Sequence, residues 1–199
     1  IEGIGDKHIP WIHNVRNTDG IAAIDDEQTM QLIRLFNEPE GRAWLEAAGV
    51  DPAVTARLDL LGISCVCNLI AAIKTAKHYD FTADDVIFMP VTDSMQLYDS
   101  RLEELRAADG PYSREAAAVH HGRYLLGIQD DHLRELSYAD RKALHNFKYF
   151  TWVEQQGKTV EELRELWEPD FWTETFSDEK LSAWDRQIEA FNTAVGLTP

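Results

Sequence analysis

The sequence predicts an α/β protein: a parallel-sheet body over residues 1–105, followed by a mostly helical extension over residues 106–199. Three observations predict it. Val86, Ile87, Phe88 and Met89 form a nearly continuous apolar run, the pattern of a strand covered on both faces as in parallel sheets. Immediately before it, the small and apolar residues from Ser64 to Ala76 suit a helix packed tightly beneath such a sheet. Beyond about residue 100 the chain turns helical and acidic, with no strong strand candidate.

Taken in order, residues 1–20 are Gly-rich, aromatic and weakly periodic, which predicts a structured loop around a short extended piece. Ile21 to Ile24 reads as a short strand. In DDEQTMQLIRLF, apolar Met30, Ile33, Leu35 and Phe36 fall near helical spacing, and Asp25, Asp26 and Glu27 meet the positive end of the helix. Pro39 and Gly41 are expected to stop it. A short helix over Arg42 to Ala48 ends at Gly49, and DPAVTARLD supplies another turn. After the apolar run, Pro90 and the polar residues Thr92, Asp93 and Ser94 fall at the carboxyl end of the expected strand, where ligands of open α/β sheets sit.

In the second half the helix signals are capping signals. Ser137 caps YADRKALHNFKYFTWVEQQ, with Gly157 as the stop, and Thr159 with Glu162 forms a capping box for VEELRELW. Ser177 precedes DEKLSAWDRQIEAFNTAV, whose Leu181, Trp184, Ile188, Phe191 and Val195 form a stripe ending at Gly196. These helices are expected to wrap the smaller body or to cover a neighbouring subunit.

Charge and composition restrict the function. With 19 Lys plus Arg against 35 Asp plus Glu, the net charge is −16, and the chain lacks the cationic footprint that nucleic acid or an anionic membrane demands. No apolar run is long enough to span a bilayer, and two cysteines one residue apart, Cys65 and Cys67, do not make a disulfide scaffold; a reducing cytoplasm is the expected location. The beginning, IEGIG, has no initiator Met, basic stretch or apolar leader. It reads as a processed product, one piece of a larger protein, or a chain shown without its start.

Several chemical signals are weak. His120, His121 and His132 match no compact zinc spacing, and no metal site is expected. Cys65-x-Cys67 has the wrong interval for a redox pair, and QQGKT at 155–159 lacks the upstream glycine and strand of a phosphate loop. Gly3 and Gly5 admit two readings, an ordinary tight turn or a bare backbone brought against a flat or anionic ligand. Ser94 and Asp93 also admit two: helix capping, or a hydroxyl offered to a ring nitrogen with the carboxylate orienting it.

Three segments in order carry a resemblance: EGIGDKHIPW at 2–11, GISCVCNLIAAIKTAK at 62–77 and FMPVTDSMQLYDSRL at 88–102. Together they resemble the C-terminal part of cysteine-synthase-like enzymes that use pyridoxal phosphate, of the tryptophan synthase beta-like, fold type II group. DKHIPWIHNVRNTDG and HNFKYFTWVEQQGKT look like a divergent branch with a helical C-terminal extension. The resemblance implies that residues 1–105 are the C-terminal part of a cofactor-binding α/β body. It implies that Ser94, in the P-x-x-D-S-x-x-x-Y pattern ending at Tyr98, meets the pyridine nitrogen of pyridoxal 5'-phosphate. Gly3, Ile4 and Gly5 would contact the cofactor ring or bound amino acid through backbone, with Asp93 and Tyr98 as neighbours. Lys7 and His8 stand where the family often has small residues, which implies altered substrate size, charge or loop closure.

The implied reaction is a β-elimination or β-replacement on an amino acid, by a lyase or transferase. In such enzymes the Schiff-base lysine and the glycine-rich phosphate cradle lie upstream of the IEGIG equivalent, and Lys74 and Lys77 read as solvent-facing ends of an apolar helix rather than as that lysine. Catalysis is therefore expected only when an N-terminal chain or segment of the same enzyme completes a split or cleaved enzyme, in a homo-oligomer or heterotetramer. The alternative is a noncatalytic regulatory or interaction subunit derived from such an enzyme.

Overall fold

A computed structural model describes residues 8–197. Among them the chain forms ten α-helices and two three-residue strands, and it divides into two compact units: residues 20–135, and residues 8–19 with 136–197. The expected parallel-sheet α/β body is not what forms. The strands β1 (Gly20–Ala22) and β2 (Leu133–Glu135) pair with each other, antiparallel, with Gly20 opposite Glu135 and Ala22 opposite Leu133. The run Val86–Met89 has no regular secondary structure and pairs with no strand among the described residues, and Val86 and Phe88 are 91% and 92% exposed. A strand needs a ladder partner. Apolar continuity announces a segment that wants cover without supplying the neighbour.

The centre of the first unit is a helix, α1 (Asp26–Asn37), capped by Asp25, whose carboxylate accepts from the Glu27 N–H at 3.1 Å. Every residue from Thr29 to Phe36 is buried. The polar ones reach partners through part of their groups: Gln31 donates from Nε2 to Asp109, and Arg34 donates to the Gly110 carbonyl at 2.7 Å, while Gln31 Oε1 and Arg34 Nε have no hydrogen-bond partner among the described residues. Glu38 ends α1 in an extended conformation and Pro39 starts α2 (Pro39–Ala47) as its first residue, the position where a missing N–H costs nothing. Pro39 thus opens a helix as well as closing one, and Gly41 lies inside α2 against the Leu35 backbone.

A short helix, α3 (Pro52–Thr55), leads to α4 (Ile63–His78), whose Ile63, Val66 and Ile70 join the α1 core. The helix expected beneath a parallel sheet packs mainly on α1 and touches only the two short antiparallel strands β1 and β2. Lys74 faces inward: it is buried, and its Nζ donates to the Asp131 carbonyl and carboxylate, both at 2.8 Å. Lys77 donates to the Ile128 carbonyl. Helices α5 (Asp99–Asp109) and α6 (Arg114–His120), the latter running into a π-helical turn, complete the unit.

The second unit is built around α7 (Tyr138–Lys148) and Trp167. Ser137 caps α7 as the sequence predicts, in a reciprocal box with Asp140, but α7 ends at Lys148 and passes into a π-helical turn over Tyr149–Val153 rather than running to Gly157; the predicted Thr159–Glu162 box forms at the start of α8 (Val160–Glu165). After α9 (Pro169–Thr175), Ser177 caps α10 (Asp178–Ala194), with Gly196 at positive φ just beyond it. Trp167 is enclosed by cations: Lys142 Nζ lies 4.1 Å and Arg16 Cζ 5.3 Å from the ring centroid.

His145, on α7, is buried beside Trp167 and donates from Nε2 to the Leu163 carbonyl at 2.8 Å. Burial lowers its pKa from 6.5 to about 4, against the carbonyl bond that raises it and with Lys148 and Lys142 adding to the fall. The unfolded chain therefore binds this proton first as pH drops. Stability from the neutral imidazole is complete above pH 6.5 and is lost toward pH 4, about 3 kcal/mol in all. His145→Gln, which keeps a donor for Leu163, is expected to flatten the pH dependence of urea unfolding in that window. An unchanged slope would assign the acid sensitivity elsewhere.

Candidate functional site

The residues around Asp93 form the most connected polar cluster of the first unit. Gly62, at the N-cap of α4, has no side chain to cap the helix, and its N–H donates to the Asp93 carbonyl at 3.1 Å. A Cβ at Gly62 would lie 2.4 Å from Asp93 Oδ1, so glycine is what lets the carboxylate settle over the helix start. There Ser64 Oγ donates to Oδ1 at 3.1 Å and Cys65 Sγ at 3.2 Å, and Thr92 Oγ1 lies 3.3 Å away. Tyr98 Oη takes the other oxygen, Oδ2, at 2.5 Å. The positive end of α4 adds to the same effect.

Burial works to raise the Asp93 pKa, but the bonds from Tyr98, Cys65, Ser64 and Thr92 outweigh it and hold the carboxyl below the usual carboxylate range. The same bond to Asp93, with burial second, pushes the Tyr98 phenol up. Thr92 is tied in twice more, through its N–H to Cys65 Sγ at 3.2 Å and its hydroxyl to Ser64 Oγ at 2.9 Å.

Ser94 follows directly. It occupies the N-cap position of a 3-10 turn over Met95–Leu97, but its side chain makes no capping hydrogen bond, so simple capping does not account for it. It is half-buried, between Asp93 on one side and Met95, which is buried in the unit's core, on the other. Among the described residues its hydroxyl makes no capping hydrogen bond.

Asp93, Ser94 and Tyr98 are thus brought together, without the strand whose carboxyl end was expected to carry them. His8 belongs to the other unit, where Nδ1 lies 2.7 Å from Thr151 Oγ1. Gly3, Ile4, Gly5 and Lys7 lie outside the described residues. Sequence reasoning did not single out Gly62, Ser64 or Cys65 as partners of Asp93, reading the thiol as packing only. The available signal was the glycine at a helix start followed by two small donors. Both cysteines are free and buried.

Among the described residues no group of three or more His, Cys, Asp or Glu side chains is placed to hold a metal ion, and no helix is long and apolar enough to cross a membrane. His120 meets the Tyr112 hydroxyl and His121 the Trp44 indole. In comparisons with known protein families, curated proteins and solved structures, nothing matches the chain.

Proposed function

We propose that this chain supplies one wall of a pyridoxal-phosphate-dependent lyase or synthase acting at the β-carbon of an amino acid. An N-terminal chain or segment of the same enzyme would supply the Schiff-base lysine. The observation that carries the reading is the convergence on Asp93 of two separate segments of the resemblance, Gly62–Cys65 and Thr92–Tyr98. The exposed apolar run at Val86–Met89 supports completion by a further segment, because nothing among the described residues covers Val86 or Phe88.

The donor set fits the cofactor's ring nitrogen. Both Asp93 oxygens are occupied by neighbours, which keeps the carboxylate from turning toward a ring and leaves Ser94 as the adjacent hydroxyl without a capping role. A hydroxyl donates to a neutral pyridine nitrogen without protonating it. Cofactor phosphate finds no cation in this cluster, so its cradle belongs to the completing segment. When bound, pyridoxal phosphate supplies the electron sink for departure of the β-substituent. Ser94 would orient the ring, and the Gly62 N–H and Cys65 Sγ that donate to the Asp93 carbonyl would hold the peptide leading into Ser94 beforehand.

The test is absorption spectroscopy and intact mass of natively purified protein, before and after borohydride reduction. A second chain or segment carrying a reduced lysine adduct supports the reading; protein free of cofactor and of any partner overturns it and leaves the noncatalytic interaction subunit. In the assembled enzyme, Ser94→Ala is expected to weaken cofactor binding roughly 10-fold, with a shifted absorption band and unchanged thermal unfolding of the apo form. Identical spectra and turnover would remove Ser94 from the site.

A further inference from the structure

Helix α10 is the longest in the chain, yet none of its 17 residues is buried. Leu181, Trp184, Ile188, Phe191 and Val195 are separated by three, four, three and four residues, the a and d positions of a heptad, and all are exposed, Ile188 at 57% and Phe191 at 64%. A helix of this length is marginal in water without a packed face. A narrow seam with a 3.5-residue repeat fits the same seam on a second helix better than it fits a broad core face.

We infer that two copies of this chain pair through α10 as a parallel two-stranded coiled coil. Inside the helix the a position after Leu181 is β-branched Ile188, with the large apolar Trp184 and Phe191 at d, and Val195, the C-cap residue just past the end of α10, continues the spacing; a β-branched a residue favours two strands. The flanking positions choose the direction. With Leu181 at a, Lys180 and Gln187 fall at g, and Asp185 and Asn192 at e. In a parallel pair each g residue meets the e residue of the next heptad on the other copy, setting Lys180 against Asp185 and Gln187 against Asn192: one opposite-charge pair and one amide pair. An antiparallel pair sets g against g and e against e, and forms no charge pair at all.

The inference stands independently of the cofactor reading. Light scattering or sedimentation equilibrium on the full chain, with any chain that accompanies it, is expected to give twice the mass of one copy. Ile188→Glu combined with Phe191→Glu is expected to weaken association at least about 100-fold while the rest of the chain stays folded, because both side chains are exposed in the single chain. Lys180→Glu is expected to weaken it about 2- to 5-fold, and adding Asp185→Lys to restore it. Val195→Cys is expected to form a disulfide between like residues under mild oxidation, since in an antiparallel pair those positions lie on the order of 20 Å apart. A single-copy species at tens of micromolar overturns the pairing. Dimers that survive the double Glu variant place the interface elsewhere, and dimers of the Val195→Cys variant that do not cross-link overturn the parallel direction.

Discussion

Gly41→Ala is expected to destabilise the first unit by about 3 to 5 kcal/mol, although the same change at an open helical site stabilises by about 1 kcal/mol. The sign is set by the backbone it would meet. A Cβ on Gly41 would lie 2.2 Å from the Leu35 carbonyl oxygen and 2.8 Å from its carbon, and these are main-chain atoms that no rotamer change can move. Leu35 sits in α1, buried from Thr29 to Phe36, so α1 has no free direction in which to retreat. The two helices must separate, which opens the packing of Leu45 against the core. Gly122→Ala is the control, since an added Cβ there meets nothing within 4 Å. Chemical denaturation of the two variants measures the difference; a Gly41→Ala protein as stable as the parent would show that α1 and α2 tolerate a wider spacing.

Lys148→Met is expected to cost the second unit about 3 kcal/mol at neutral pH. Lys148 is fully buried at the end of α7, and its ammonium donates to the carbonyls of Trp11 at 2.8 Å and His13 at 2.6 Å. Methionine fills the volume but leaves both carbonyls without a donor. The segment 8–19 has little ladder of its own and depends on such side-chain donors: Trp152 Nε1 serves Ile9 and Arg141 Nε serves Thr18, each at 2.8 Å. The variant should therefore show faster hydrogen exchange and proteolysis in residues 8–19 before global unfolding. Burial lowers the Lys148 pKa from 10.5 to about 8, so the folded chain releases this proton first, and unfolding free energy should rise by about 3 kcal/mol between pH 8 and 10.5. In Lys148→Met that rise should vanish. Its persistence would show that another group titrates there.

Helix starts were legible because their determinants are local. Asp25, Ser137, Thr159 and Ser177 each bond to backbone within three residues, and each marks a helix in the structure. Of the sheet only one strand was legible, the short one read at Ile21–Ile24, which overlaps β1 at Gly20–Ala22; the rest was not, because a strand is completed by its neighbour. Val86–Met89 carries the composition of a doubly covered strand, while the residues that do pair, Gly20–Ala22 and Leu133–Glu135, are too short to show alternation. Lys74 misled for a related reason: a lysine on an apolar helix reads as a snorkelling end, and only the distant Asp131 turns it inward. At the candidate site, Asp93, Ser94 and Tyr98 could be named from their pattern, but Gly62, Ser64 and Cys65 take part through the 28 or so residues of chain that fold back on them.

The β1–β2 ladder pairs Gly20 with Glu135, the first and last residues of the unit formed by 20–135, so among the described residues that unit is, in chain terms, an insertion between residues 8–19 and 136–197 of the second. This imposes an order on synthesis. Residues 8–19 leave the ribosome before the unit 20–135, yet the donors that satisfy their carbonyls, on Arg141, Lys148 and Trp152, come only after that whole unit has been made. The inserted unit can close as soon as Glu135 reaches Gly20, and its closure replaces a long, entropically costly loop with a short tether between the two halves of the outer one. The outer unit is thereby completed after the inserted one, from segments that lie on either side of it in the chain.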